Sequence, residues 1–252
     1  SRAFDLSISS FLERKHFRNK AQEAVESNYF IDLFNVGSSL NHKNTLFVAG
    51  ETSASIDLDL GYANYDDSPL AFQTSKIEQG TKGRFNRLRW NINNTQFFTE
   101  TISSVLKFSG QLSDSNLDSS QKFYLGGASG VRAYPTSEGS GSEGYLLSAA
   151  LHKELSANLT AIGFYDYGFA RQYIDNTNNS TGLENATGKN SFNMKGYGTS
   201  IEWTGFVGSY RSTLSAIWSR RIGNNPNPQA DGTDSDGTKH SNFYWLKASI
   251  VF

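Results

Sequence analysis

The chain of 252 residues contains no cysteine, which excludes disulfide bonds and thiolate chemistry. Nowhere does it run to about 18 consecutive apolar residues, so a membrane-crossing helix is excluded. Neither sign of charge prevails: 23 basic residues stand against 24 acidic ones, net −1, and nothing marks a basic nucleic-acid surface or an acidic tail. Proline occurs only 4 times. No basic-then-apolar segment opens the chain, and Ser1 begins in mid-pattern, so a secreted or membrane protein would be represented here by a mature form or a fragment.

What the sequence has is alternation. In "SIDLDLGY" Ile56, Leu58, Leu60 and Tyr62 share one face, opposite Ser55, Asp57, Asp59 and Gly61. "RLRWNIN" sets Leu88, Trp90 and Ile92 against Arg87, Arg89, Asn91 and Asn93, and "SVLKFSGQL" sets Leu106, Phe108 and Leu112 against Lys107, Ser109 and Gln111. "YWLKASIVF" puts Tyr244, Leu246, Ala248, Ile250 and Phe252 together. These are period-two strands. Ten are expected, over 3–14, 27–38, 45–63, 83–94, 100–113, 143–153, 157–171, 191–204, 207–221 and 241–252. Segment 27–38 carries apolar residues on both faces and would also suit a buried sandwich strand.

Length and connections separate a sandwich from a membrane barrel. Most of these segments are longer than the five or six residues usual in globular sheets and match a tilted membrane-crossing strand. From the third strand on, connections alternate long and short, as with external loops and periplasmic turns. Arg87, Arg89, Asp57 and Asp59 on the polar face need water, which a barrel lumen supplies. The expected fold is therefore an all-β transmembrane antiparallel barrel, with the 113–143 loop external and Phe252 ending the last strand on the periplasmic side.

Several motifs dissolve on inspection. Gly139, Gly141 and Gly144 fit G-x-G-x-x-G, but a loop precedes them and the alternating "YLLSAALH" follows, where a nucleotide site needs a strand and then a helix. "DGTDSDGT", Asp231 to Thr238, fails the EF-hand register because Phe243 falls where the bidentate glutamate belongs; a solvated external loop is expected. His16, His42, His152 and His240 are far apart, without ligand spacing or a nearby nucleophile motif, so neither metal nor enzyme chemistry is expected. Trp90, Trp203, Trp218 and Trp245 are expected in the interfacial girdle or facing lipid.

Two pieces remain. "FYLGGASGVRAYPTSEGSGSEG" carries six glycines and a single arginine, Arg132. "GFYDYGFA" spells F-x-D-x-G with Phe164, Asp166 and Gly168, on the face opposite Leu159, Ala161, Tyr165, Tyr167 and Phe169. A carboxylate on an inner wall calls for a cation, and Arg132 is the nearest unusual one in sequence. On pattern alone, that pairing and a plain solvated Asp166 both remain open.

At these residues the chain resembles the two-partner-secretion outer-membrane transporters (TpsB-type, the haemolysin secretion/activation proteins), within the superfamily that includes the barrel-assembly insertase. Val131, Arg132, Ala133 and Tyr134 match the V-R-G-[YF] tetrad, with alanine in place of glycine, and Phe164, Asp166 and Gly168 match the strand motif. The resemblance extends over the whole chain. It implies a sixteen-stranded barrel of which these are the last ten strands, with the first six strands and the paired periplasmic POTRA modules outside this chain. It also implies a loop folded into the lumen, hinged at Gly126, Gly127 and Gly130, with Arg132 locked on Asp166 and Val131, Tyr134, Phe164 and Gly168 around the pair. Asp57, Asp59, Arg87, Arg89 and Lys107 would then form a mixed-charge lumen wall. Transport would proceed without cofactor or catalysis: an unfolded partner exoprotein, an adhesin or cytolysin, would pass to the surface. Outer-membrane lipids and the barrel-assembly machinery would be further partners, nucleic acid none. An assembly insertase, a passive diffusion porin and an outer-membrane enzyme are the rival readings.

Overall fold

A computed structural model describes residues 4–44, 48–177 and 188–251. Ten strands form one antiparallel sheet in the order β1-β2-β3-β4-β5-β8-β9-β10-β11-β12, so each strand of the wall lies beside the next one in the chain. They are β1 (Phe4–Ala21), β2 (Ala24–Asn44), β3 (Gly50–Asn64), β4 (Gly83–Phe97), β5 (Ile102–Ser113), β8 (Glu143–Ser156), β9 (Leu159–Arg171), β10 (Ser191–Val207), β11 (Tyr210–Arg221) and β12 (Asn242–Val251). The two missing numbers, β6 (Phe123–Tyr124) and β7 (Ser140–Gly141), form a separate ribbon inside the longest loop.

From β4 onward the bounds lie within three residues of those expected from alternation. The start differs. Where a connection was expected between 3–14 and 27–38, β1 and β2 form one long hairpin turning at Gln22 and Glu23. Both turn residues have positive φ, 47° and 69°, the hand that matches strand twist in a two-residue turn. Pairing of β2 with β3 begins only at Phe30, so the hairpin end projects beyond the sheet. There Phe17 stacks on Tyr29 and His16 on Phe30, with ring centroids 4.8 Å and 4.3 Å apart. A helix, α1 (Leu70–Glu78), also lies within the expected 64–82 loop, begun by Pro69 and ended near Gly80 at φ 66°. Residues 45–47 and Phe252, placed in the third and last expected strands, lie outside the described residues.

The distribution of polarity is the reverse of a soluble protein's. The register carries one apolar row from strand to strand: Phe34, Leu60 and Leu12 meet, as do Val36, Leu58 and Leu88. On this outer face Leu12, Ile56, Leu214, Tyr244 and Leu246 are exposed, while Asn35, Asp59, Arg87, Gln111 and Asp166 are buried on the other. Exposed apolar rows over buried charge suit a wall between hydrocarbon and a polar interior. Segment 27–38 needs no sandwich: its outward Phe34 and Val36 join the exposed rows, and its inward Tyr29, Ile31 and Leu33 join a small core with Tyr65, Phe85 and Leu117. A second core, Leu125, Val131, Ala133, Tyr134, Ala170, Phe192 and Met194, lies between the longest loop and the wall.

Candidate functional site

The 114–142 loop leaves β5, lies along the inner face and returns to β8. Its tip satisfies its own backbone: the amides of Leu125, Gly126 and Val131 donate to the carbonyls of Gly139, Glu138 and Leu125 at 3.0, 2.9 and 2.7 Å. The three glycines expected as hinges make this compaction possible. A Cβ on Gly130 would sit 1.9 Å from the Leu125 carbonyl oxygen, one on Gly126 2.3 Å from that of Pro135, and Gly127 has φ 115°.

The tip presents Arg132 to β9. Its Nε and Nη2 donate to Asp166 Oδ2 and Oδ1 at 2.8 and 2.7 Å, and its backbone amide adds a third bond to Oδ2 at 3.1 Å. Ser148 on β8 closes the ring, accepting from Nη2 at 3.0 Å and donating to Asp166 Oδ1 at 2.7 Å. Asp166 is fully buried, and the guanidinium carbon lies 3.2 Å from the centre of the Phe164 ring. A planar fork bonded on two arms and stacked on an aromatic face is a task for arginine that lysine cannot copy.

Each position of F-x-D-x-G thus has a physical reason. Alternation turns residues 164, 166 and 168 inward together; the ring supports the guanidinium and the carboxylate receives it. Gly168 leaves room for the tip, since a Cβ there would lie 2.9 Å from Leu125 Cδ2 and 3.0 Å from Val131 Cγ2. Ala133 is not among the described non-glycine residues with positive φ, so alanine is unstrained at that tetrad position. Its methyl packs where only glycine fits opposite: a Cβ on Gly196 of β10 would approach Ala133 Cβ to 2.4 Å.

Two contacts at the tip were not foreseen. The carbonyl of Arg132 accepts from Ser219 Oγ at 2.6 Å and from Trp245 Nε1 at 2.8 Å. Trp90, Trp203 and Trp218 sit on outer rows with Ile56, Leu214 and Tyr244 as neighbours. Trp245 alone departs from the expectation: it pairs with Ile217 on the inner face and holds the loop. The signal was in the sequence, because placing Tyr244 and Leu246 outward turns residue 245 inward.

The charges expected along a solvated wall divide into two groups. Lys107 is exposed and Asp57 half-buried. Asp59 and Arg87 are buried instead: Asp59 accepts from Arg87 Nε and Arg89 Nε at 2.9 Å each and from Asn35 Nδ2 at 2.7 Å. Arg87 then reaches the loop, donating from Nη1 to the Gln121 carbonyl at 2.9 Å, beside a bond from Gln111 Nε2 at 3.1 Å. Nearby Asp118, also buried, accepts from Tyr65 at 2.9 Å, from Tyr29 at 3.3 Å and from the Ser120 amide at 3.0 Å, with Lys76 Nζ of α1 at 3.3 Å. Burial pushes the Asp118 carboxyl up, but Lys76 and the bonds from Ser120 and Tyr65 outweigh it and hold the group below the usual carboxylate range.

The carboxylates of "DGTDSDGT" are engaged within the protein: Asp231 and Asp236 each accept from the threonine two residues on, and Asp234 pairs with Arg221. Among the described residues no group of three His, Cys, Asp or Glu side chains is placed to hold a metal. Gly141 lies in β7 and Gly144 in β8, with a strand rather than a helix following.

Comparison with known proteins bears on the family and the fold. Residues 6–190 match the model of the haemolysin secretion/activation protein family ShlB/FhaC/HecB. The heme/hemopexin transporter protein HuxB of Haemophilus influenzae is 31% identical over 193 residues, 73% of this chain and 31% of that protein. HuxB from strain 86-028NP is 30% identical over 156 residues, 58% of this chain and 26% of that protein. The chain therefore spans less than a third of these relatives. Among solved structures, CdiB from Escherichia coli superposes with a TM-score of 0.70 at 16% identity, covering 99% of this chain and 42% of CdiB, which shows a shared fold. Transporters, not enzymes, make up the matched family, and its barrels sit in the outer membrane of Gram-negative bacteria. The chain belongs to the haemolysin secretion/activation protein family ShlB/FhaC/HecB.

Proposed function

We propose that this chain is the C-terminal part of an outer-membrane translocation pore that secretes a partner exoprotein, with the 114–142 loop seated in the lumen and pinned by Arg132 on Asp166. The single observation that carries the reading is the two-armed guanidinium–carboxylate contact, made by a loop tip on a fully buried Asp166. A passive porin needs no such fastening; a pore that must stay shut to small solutes and still pass a polypeptide does. The ten strands are the last ten of sixteen, with β1 and β12 pairing to strands outside this chain, as a closed barrel requires of its edges. POTRA modules precede it and receive the unfolded cargo. The relatives' name makes a heme- or hemopexin-related exoprotein the first cargo to test, ahead of an adhesin or cytolysin. The barrel-assembly machinery inserts the barrel into lipid, and no cofactor takes part.

The lock has a defined role in this scheme. While Arg132 is seated, the tip occupies one position and the passage is closed. Released without order, the tip lets small ions leak yet still obstructs a chain. Arg132→Ala in the full-length protein is therefore expected to lower cargo secretion while the barrel stays inserted. Undiminished secretion would remove the pinning role.

A further inference from the structure

The last external loop, 222–241, is tied to the returning limb of the 114–142 loop by buried charge. Glu138 on that limb and Asp234 on the external loop are each 1% exposed. Asn225 Nδ2 donates to both carboxylates, to Glu138 Oε1 at 2.9 Å and Asp234 Oδ1 at 2.8 Å. The Ser235 amide donates to Glu138 Oε2 at 2.6 Å. Arg221, at the end of β11, grips Asp234 on both oxygens, and its guanidinium carbon lies 4.7 Å from the centre of the Tyr134 ring. Glu138 of the returning limb is thus held by Asn225 and Ser235 of the last loop, while Tyr134 lies against Arg221, which grips Asp234 of that loop.

We propose that the 222–241 loop is a strap over the returning limb, closing the pore at a second level, and that it must detach before a chain can pass. The charge pattern explains why it can. Of the two buried carboxylates only Asp234 meets the Arg221 guanidinium, and among the described residues no lysine or arginine pairs with Glu138, which is held by an amide and a backbone N–H. Arg132 at the tip instead has a cation and a carboxylate in balance. An uncompensated buried charge makes the strap the weaker fastening and the first to yield. Its position suits the role: it joins the ends of β11 and β12 opposite the tight β8–β9 and β10–β11 turns, on the side of the long loops, where material outside can reach it.

The inference rests on the secretion reading, so its test has one arm with cargo and one without. This chain has no cysteine, so Glu138→Cys with Asn225→Cys supplies its only thiols. The rest of the full-length protein is kept cysteine-free. Because the two native side chains meet at their tips, a short bis-thiol reagent with an internal disulfide, rather than direct oxidation, is expected to cross-link the pair, lower secretion at least about tenfold and be reversed by reductant. In planar bilayers, Glu138→Ala removes two bonds to a buried carboxylate and is expected to raise the open fraction about tenfold or more. Asn225→Ala, outside every strand, gives the same result without touching the wall. A cross-linked protein that secretes as fast as the uncross-linked one, a pair that the reagent fails to join, or unchanged open fractions in both alanine variants would overturn the strap. A raised open fraction with no cargo exported by the parent would leave the strap standing and remove the secretion reading instead.

Discussion

Arg132 is where the largest and best-defined effect is expected. Alanine there removes both arms from Asp166 and leaves a fully buried carboxylate with the Ser148 hydroxyl and one backbone amide. Breaking a desolvated pair from one side costs about 3–5 kcal/mol, and the remaining donors with nearby water place this case near the lower figure. About 3 kcal/mol is a shift of roughly 150-fold between seated and released tip. Lysine keeps the charge but loses the second arm, the Ser148 bond and the stack on Phe164, for an expected loss of about 1.5–3 kcal/mol. The fraction of time open to small ions in planar bilayers should therefore rise from parent to Arg132→Lys to Arg132→Ala, with cargo secretion falling in the same order. Arg132→Ala combined with Asp166→Ala should fall short of the sum of the single effects, because the second change no longer strands a charge. If Arg132→Lys behaves as the parent, charge alone suffices and the reasoning from fork geometry is wrong.

Other positions give independent tests. Gly168→Leu would drive into Leu125 and Val131, and overpacking of about 1–3 kcal/mol should displace the tip, read as faster proteolysis within 125–139. Trp245→Phe keeps the ring and removes one of two donors to the Arg132 carbonyl, a loss of about 1 kcal/mol expected to raise the open fraction roughly fivefold. Because its folded-state pKa is depressed, Asp118 contributes stability that is present above the ordinary carboxylate value and lost as pH falls through the lower folded value. The 114–142 loop should accordingly stay protease-resistant below the normal carboxylate range and loosen at still lower pH. Lys76→Met should move that loosening to higher pH.

Much of the wall could be read from residue order because a strand repeats every two residues, and a lipid-facing row must be apolar at every second position. Ile56 to Tyr62 and Tyr244 to Ile250 carry that signal without interruption. The β1–β2 hairpin escaped it because "KAQEAVE" has no glycine, proline, Asn-Gly or Asp-Gly to mark its turn, and cross-strand aromatic stacking decides the matter instead. Helix α1 is nine residues within a polar loop, too short to show a period, although Pro69 and Gly80 bracket it.

At the site, Phe164, Asp166 and Gly168 were legible as three inward positions on one strand, whereas alternation alone did not choose Arg132 as their partner; the family resemblance did. Contacts made across long separations stayed hidden. Asp59 and Arg87 look like solvated wall charges until the Gln121 carbonyl arrives from another element, and nothing near Glu138 in the sequence announces Asn225 or Asp234.

Deleting residues 126–134 from the full-length protein and recording single channels removes the whole tip while sparing every strand. A polar passage blocked by that tip predicts large, steady, small-ion conductance where the parent is mostly closed. Currents indistinguishable from the parent's, through barrels shown to be inserted, would contradict a pore closed from within by this loop.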